Sequence, residues 1–139
     1  MRIALDAMGG DLAPTSTVQG ALEFLNQPNS ETVNIDLFGD AETIQSILDS
    51  SELDTSRISV IHCTEKVEMN DRSAKVFRDK PDSALVKAVN AVKNKDADAV
   101  VSAGNTGALL ATSLFLLGKI AGINRPALAP FIPTQNGGF

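Results

Sequence analysis

The sequence predicts an α/β domain with a mainly parallel sheet. Short apolar runs alternate along the chain with segments whose apolar residues recur every three or four positions, the order of a strand–helix repeat. The first and the last clear runs each enter a glycine-rich loop followed at once by a helical pattern, as in strand–loop–helix units joined by right-handed crossovers. With six Phe and no Trp or Tyr, the core must be built from Val, Ile, Leu and Ala. That composition suits packed sheet-and-helix layers better than a stacking platform for sugars or bases.

Ile3-Ala4-Leu5 stops at Asp6 and reads as a buried strand entering the loop Met8-Gly9-Gly10-Asp11-Leu12-Ala13-Pro14. Thr15 or Ser16 is then expected to cap a helix whose stripe is Val18, Ala21, Leu22 and Leu25. Val33 to Phe38 alternates and meets Gly39-Asp40, where Asp40 is a fitting N-cap for a helix carrying Ile44, Ile47 and Leu48. Ile58 to Ile61 is the third strand candidate. Residues 62–80 are polar, charged and without sustained periodicity. Pro81-Asp82-Ser83 opens a helix with Leu85, Val86, Val89 and Val92 on one side, and Ala97 to Ala103 reads as a strand running into Gly104-Asn105-Thr106-Gly107. A very apolar helix follows to about Gly118. Arg125-Pro126 breaks the pattern, and Ala127 to Ile132 is a candidate last strand.

A net charge of −5 argues against a chain held on nucleic acid by bulk charge, which needs surplus Lys and Arg. Cys63 is the single cysteine, so no intrachain disulfide can form, and a reducing, cytoplasmic setting is expected. The N-terminus reaches a charge too soon for a signal peptide. The longest near-apolar run, Ala108 to Leu117, falls well short of the ~20 residues of a membrane span. His62-Cys63 invites a Cys–His reading, but neighbours on a strand face opposite ways. One His with no further His or Cys also makes a zinc site unfavourable, and no metal is expected. Leu109, Leu110, Leu114, Phe115 and Leu117 read as core, with an acyl-chain groove as the rival reading.

Ligands of open α/β sheets bind at the carboxyl ends of the strands. Two such ends carry candidate chemistry. In the first, Gly9 and Gly10 permit positive φ and close approach of a ligand, while Asp6 and Asp11 hold the loop or act on the ligand. A tight turn with capping aspartates is the plain alternative, and neither G-x-G-x-x-G nor a P-loop is present. In the second, a strand delivers Ser102, the glycines Gly104 and Gly107 expose backbone N–H groups, and a helix starts at once. Unpaired amides and a positive dipole end attract phosphate, and Asn105 and Thr106 add side-chain donors. An ordinary strand-to-helix turn capped by Asn105 is the alternative there. A third cluster, Arg78-Asp79-Lys80-Pro81-Asp82-Ser83, places two cations beside a helix start. Its plain reading is a solvated loop with Asp82 as cap.

Ile3-Ala4-Leu5-Asp6-Ala7-Met8-Gly9-Gly10-Asp11 followed by Ala13-Pro14 resembles the opening of the bacterial phosphate acyltransferases of fatty acid and phospholipid synthesis. Ser102 to Leu109 is similar to that family's second signature, and Arg125-Pro126-Ala127-Leu128 with Pro133-Thr134 to a third. The resemblance runs along the whole chain. It implies a three-layer α/β/α sandwich of the isocitrate/isopropylmalate dehydrogenase-like kind, and a cytoplasmic homodimer with peripheral membrane contact. It also implies conversion of acyl-[acyl carrier protein] and inorganic phosphate into acyl phosphate without a cofactor. The implied partners are acyl carrier protein, phosphate and the membrane glycerol-3-phosphate acyltransferase.

The third cluster matches the family's Arg-x-Lys-x-x-Ser-Ser at Arg78, Lys80 and Ser83, but Ala84 replaces the second serine. Leu12 stands where His is frequent. Family members are considerably longer, and their later Gly-Ala-Asn and Asp-Gly-Phe-x-Gly-Asn motifs have no counterpart here. Residues 1–139 are therefore expected to be the N-terminal portion of one such domain, without its C-terminal half.

The implied roles follow. Gly104, Thr106 and Gly107 with the helix start bind phosphate, and Lys80 and Arg78 neutralise it. Asn105 or Thr106 donates to phosphate or to the oxyanion, and Asn105, Lys80 and Asp6 are the catalytic candidates. Ser83 and Ser102 complete the site, and Asp6 and Asp11 shape the Gly9-Gly10 loop. A non-catalytic small-anion-binding domain is the rival class. A dehydrogenase of the same fold group is disfavoured, because no nicotinamide or metal-carboxylate motif is present.

Overall fold

The computed structural model describes residues 1–28 and 30–127, together with the backbone of Pro133–Thr134 and Gly137–Gly138. Strands β1 (Arg2–Asp6), β2 (Asn34–Gly39), β3 (Ile58–His62) and β4 (Ala99–Ser102) form one sheet in the order β3-β2-β1-β4, and every pairing is parallel. Helices α1 (Thr15–Leu25) and α2 (Ala41–Asp49) follow β1 and β2. The single turn α3 (Val76–Asp79) and α4 (Ala84–Asn94) lie between β3 and β4, and α5 (Thr106–Leu116) follows β4. A two-residue antiparallel pair, β5 (Pro133–Thr134) and β6 (Gly137–Gly138), stands apart from the sheet. The expected strand from Ala127 to Ile132 has its residues 128–132 outside the described ones.

Helices cover both faces of the sheet, which gives three layers. On one face Val18, Leu22 and Leu25 of α1 and Ile44 and Leu48 of α2 bury against Leu5, Ile35 and Leu37. Side chains alternate along a strand, so Ala4 and Phe38 face the other way, against Ala84, Ala88 and Ala91 of α4. Those small residues let α4 sit close to the sheet. α4 and α3 in turn support α5 through Val76, Leu85, Val86 and Ala108.

Several local expectations resolve differently in the fold. Asp40 caps α2 as expected, its Oδ1 accepting from Thr43 N at 2.8 Å. The cap position of α1 falls on Pro14 with no side-chain bond, and Ser16 Oγ donates instead to Leu12 O at 3.1 Å. Asp82 does not cap α4, because its Oδ2 accepts from Thr64 N and Oγ and its Oδ1 meets Lys87 Nζ at 2.7 Å. The five apolar residues read as core, four in α5 and Leu117 at its C-cap, are not fully buried, and Phe115 is 57% exposed. α5 packs mainly on α4 and α3, and its Leu110 and Leu114 share a small cavity with Ile120, Ile123 and Pro126. Among the described residues no helix is long and apolar enough to cross a membrane.

Candidate functional site

The strand order creates the site. β2 and β3 are laid down on one side of β1 and β4 on the other, and α1 and α5 leave β1 and β4 toward opposite faces. A crevice therefore opens beyond the carboxyl ends of β1 and β4, the place where ligands of open α/β sheets bind. The parallel register sets Asp6 directly beside Ser102, 96 residues apart in sequence.

Asp6 is buried at the floor of this crevice. Its Oδ2 accepts from Ser102 Oγ at 2.7 Å and its Oδ1 from Met8 N at 3.2 Å. Burial pushes the Asp6 carboxyl above the usual carboxylate range, against the opposing pull of the Ser102 and Met8 hydrogen bonds and the more distant Lys66. Ser102 Oγ accepts in turn from Gly104 N at 3.1 Å, so the two loops are knotted through one hydroxyl.

They also touch through their backbones. A Cβ on Gly9 would stand 2.8 Å from both Asp6 Oδ2 and Gly104 N, and Gly10 has φ +106°. Only glycine fits the first position sterically, and the second has the left-handed backbone that glycine tolerates.

Asn105 begins α5. Its Oδ1 accepts from Ala108 N at 3.0 Å and from Ser73 Oγ at 3.3 Å. Its Nδ2 donates to Glu68 O and Met69 O at 3.3 and 3.1 Å. The side chain is thus fully committed to capping α5 and fastening the 68–73 segment, and no donor is left over for a substrate. The amides of Thr106 and Gly107 have no partner among the described residues, and both residues are exposed. They are the unpaired donors that a helix start leaves for an anion.

The two cations of the third cluster each have a partner within the chain. Lys80 Nζ lies 2.5 Å from Asp71 Oδ2 and donates to Lys66 O at 2.8 Å, so it braces the 66–71 loop. This contact holds the Asp71 carboxyl below the usual range. Arg78 is exposed, its guanidinium 5.1 Å from the ring centre of Phe77. Ser83 is buried and donates to Lys80 O at 2.7 Å. A cleft of about 190 Å³ at the loop junction is lined by Gly10, Asp11, Lys66, Glu68, Met69 and Gly104 among others, and Arg78, Lys80, Thr106 and Gly107 lie outside its lining. The site therefore brings together Asp6, Gly9, Gly10, Asp11, Ser102 and Gly104, with Thr106 and Gly107 at the adjoining helix start. It leaves Arg78, Lys80 and Ser83 in a supporting loop.

Two residues at the site lie in the stretch that defeated periodicity. Lys66 is the cation in the cleft, and Ser73 sits over Gly107, where a Cβ would stand 2.7 Å from Ser73 Oγ. Neither carries a sequence signal, because their positions depend on how the 64–75 segment folds over α5. His62 and Cys63 separate as expected. His62 Nδ1 accepts from Ala41 N at 3.2 Å, while Cys63 is buried and its thiol is pushed up to about 11 by desolvation. Among the described residues no group of three or more His, Cys, Asp or Glu is placed to hold a metal.

Fold and crevice define a parallel α/β protein with a glycine-walled, amide-lined cleft at the switch point of its sheet. The chain belongs to the fatty acid synthesis protein family, whose model matches residues 1–139. It is 46% identical over 134 residues to a phosphate acyltransferase of Dictyoglomus turgidum, covering 96% of this chain and 39% of that protein. It is 44% identical over 137 residues to a phosphate acyltransferase of Exiguobacterium sibiricum, covering 99% and 40%. A phosphate acyltransferase of Listeria monocytogenes is 46% identical over 137 residues, covering 99% and 39%. The chain thus spans about 40% of the length of these curated relatives.

Proposed function

We propose that this chain is the phosphate-binding portion of an acyl-[acyl carrier protein]:phosphate acyltransferase, the N-terminal part of one catalytic domain. The observation that carries the reading is the pair of unpaired amides at Thr106 and Gly107, set beside the Asp6–Ser102–Gly104 knot in a chain of this family. In the proposed reaction an oxygen of hydrogen phosphate attacks the thioester carbonyl carbon. The C–S bond then breaks, and the carrier leaves as a thiol after taking up the phosphate proton. Phosphate is itself the nucleophile, so positioning and charge stabilisation carry the catalysis.

The residues divide into two groups. Thr106 and Gly107 donate to phosphate, with Lys66 as the cation of the cleft lined by Gly104. Asp6 and Ser102 set the position of Gly104, and Asp11 flanks the cleft. Asn105, Lys80 and Ser83 act at a distance by holding the 64–75 segment against the start of α5. The exposed Arg72, Lys75 and Arg78 offer a local basic patch to an acidic carrier protein, although the whole chain is acidic. A cytoplasmic homodimer, touching the membrane peripherally and passing acyl phosphate to a membrane glycerol-3-phosphate acyltransferase, completes the reading.

Titration of inorganic phosphate into ¹⁵N-labelled chain tests it. Saturable shifts at the Thr106 and Gly107 amides are expected, and shifts confined to other amides would overturn the phosphate role. For catalysis, the chain joined to the remaining length of the Dictyoglomus turgidum relative should release carrier thiol from acyl-carrier protein only when phosphate is present. Release independent of phosphate would remove the proposed reaction.

A further inference from the structure

Among the described residues, Lys66 is the one cation that lines the cleft at the loop junction, on a wall shared with Gly10, Asp11, Glu68 and Gly104. Its backbone is held from several sides. Lys66 O accepts from Lys80 Nζ at 2.8 Å, Glu68 N donates to Asp71 Oδ2 at 2.7 Å, and Val67 packs on the cluster of Val76, Leu85 and Val86. The Lys66 side chain is not held in this way. Its amine makes no hydrogen bond among the described residues and lies 4.0 Å from Glu68 Oε1, with both side chains exposed. Other lysines differ in one of two respects. Lys80 Nζ is bound to Asp71 and Lys87 Nζ to Asp82, each with a backbone carbonyl besides. Lys75, Lys93 and Lys95 are exposed but line no part of the cleft. A fixed loop thus presents one unbonded amine to the cleft.

The reaction proposed above makes an acyl phosphate, a mixed anhydride whose acyl carbon is open to attack by an amine. Resting on the phosphate-binding reading, we propose that Lys66 is a site of self-acylation by acyl phosphate. The ammonium first releases a proton to solvent. The amine nitrogen then attacks the acyl carbonyl carbon, the N–C bond of an amide forms, and the C–O bond to the phosphate oxygen breaks. Phosphate leaves as hydrogen phosphate, carrying a proton from the nitrogen, and nothing is oxidised or reduced. Position supplies the selectivity. An acyl phosphate held by its phosphate end keeps the acyl carbon close to one amine, whereas lysines elsewhere meet it only from bulk solvent. The amide carries no charge, so acylation removes the cation of the cleft and weakens phosphate binding. The modification opposes the reaction that supplies its acyl group.

Acetyl phosphate is the probe. The chain is incubated with it at mildly alkaline pH and digested, and acetyl-lysine is quantified at each position by mass spectrometry. Lys66 is expected to be acetylated about ten-fold faster than Lys75, Lys93 and Lys95, and an excess of inorganic phosphate is expected to erase that preference. Equal rates at all exposed lysines overturn the proposal. A preference at Lys66 that phosphate leaves unchanged also overturns it, since the reactivity would then belong to the amine and not to a bound acyl phosphate. Amide titration with phosphate on the same sample separates the two readings. Shifts at Thr106 and Gly107 without a preference at Lys66 sink self-acylation and leave phosphate binding standing, whereas no shift and no preference remove both.

Discussion

Replacing Asn105 with Ala removes four hydrogen bonds at one stroke. The cap on Ala108 N is worth about 1 kcal/mol. The two Nδ2 bonds to Glu68 O and Met69 O, at 3.3 and 3.1 Å, are long and add about 0.5 kcal/mol each. The 3.3 Å contact from Ser73 Oγ contributes least, since that hydroxyl can turn to water. The sum is about 2 kcal/mol, which for a domain of this size lowers the melting temperature by about 8 °C.

Two further variants separate the contributions. Asn105→Ser keeps a capping oxygen and loses the donors, so it should fall about midway. Asn105→Asp keeps the cap and suits the helix dipole, but turns a carboxylate oxygen toward two carbonyls. It should melt at or below the alanine variant. Thermal unfolding followed by circular dichroism gives the ranking. Hydrogen exchange at residues 64–73 should show that segment loosening in Ala and Asp alike. An aspartate variant that melts with the parent protein would refute the assignment of Nδ2 as a clamp.

Other outcomes follow from the same structure. Gly9→Ala should destabilise by about 1–3 kcal/mol, as overpacking does, because its Cβ meets the Gly104 backbone at 2.8 Å. Gly20→Ala, inside α1 with nothing within 4 Å, should stabilise by about 0.5–1 kcal/mol, and urea unfolding of the pair checks both signs. Asp40, Asp54, Asp71 and Asp82 have carboxyls held below their ordinary 3.8, by hydrogen bonds from Thr43, Ser56, Lys80 and Lys87 respectively. Their stabilisation is present above pH 3.8 and is lost as pH falls through their lowered values. Acid titration of the melting temperature should therefore fall below about pH 4, and less steeply in Asp82→Asn. Asp6 works in the opposite sense. Its raised value favours the fold at low pH and withdraws that contribution as pH rises through it, so Asp6→Asn should flatten this limb. Cys63, with its thiol moved from 9.0 to about 11, should react with a disulfide reagent at pH 8 about a hundred-fold more slowly in the folded chain than in urea. Equal rates would place the thiol at the surface.

The elements were legible wherever local physics chose them. The stripe of α1 and the Asp40 cap depend on residues within a turn of one another. The two glycine-rich loops could be read because a strand end, small residues and a helix start are adjacent in sequence. The 62–80 stretch could not be read in this way. Its structure rests on contacts such as Asp82 with Thr64 and Asn105 with Glu68 and Met69, which join residues 18 to 37 positions apart. The same contacts hold Asn105 and Lys80, engaging the Asn105 amide and two of the three Lys80 N–H donors on the loop.

Composition and periodicity were sufficient for the class of fold and the identity of the loops, since each follows from short-range pattern. The tertiary arrangement was needed to set β1 beside β4, and with that to bring Asp6 onto Ser102 across 96 residues. It also brought Lys66 into the cleft. Strand order and loop packing are free-energy choices made among distant segments, where burial of the whole sheet outweighs any local preference. The site is a product of that choice.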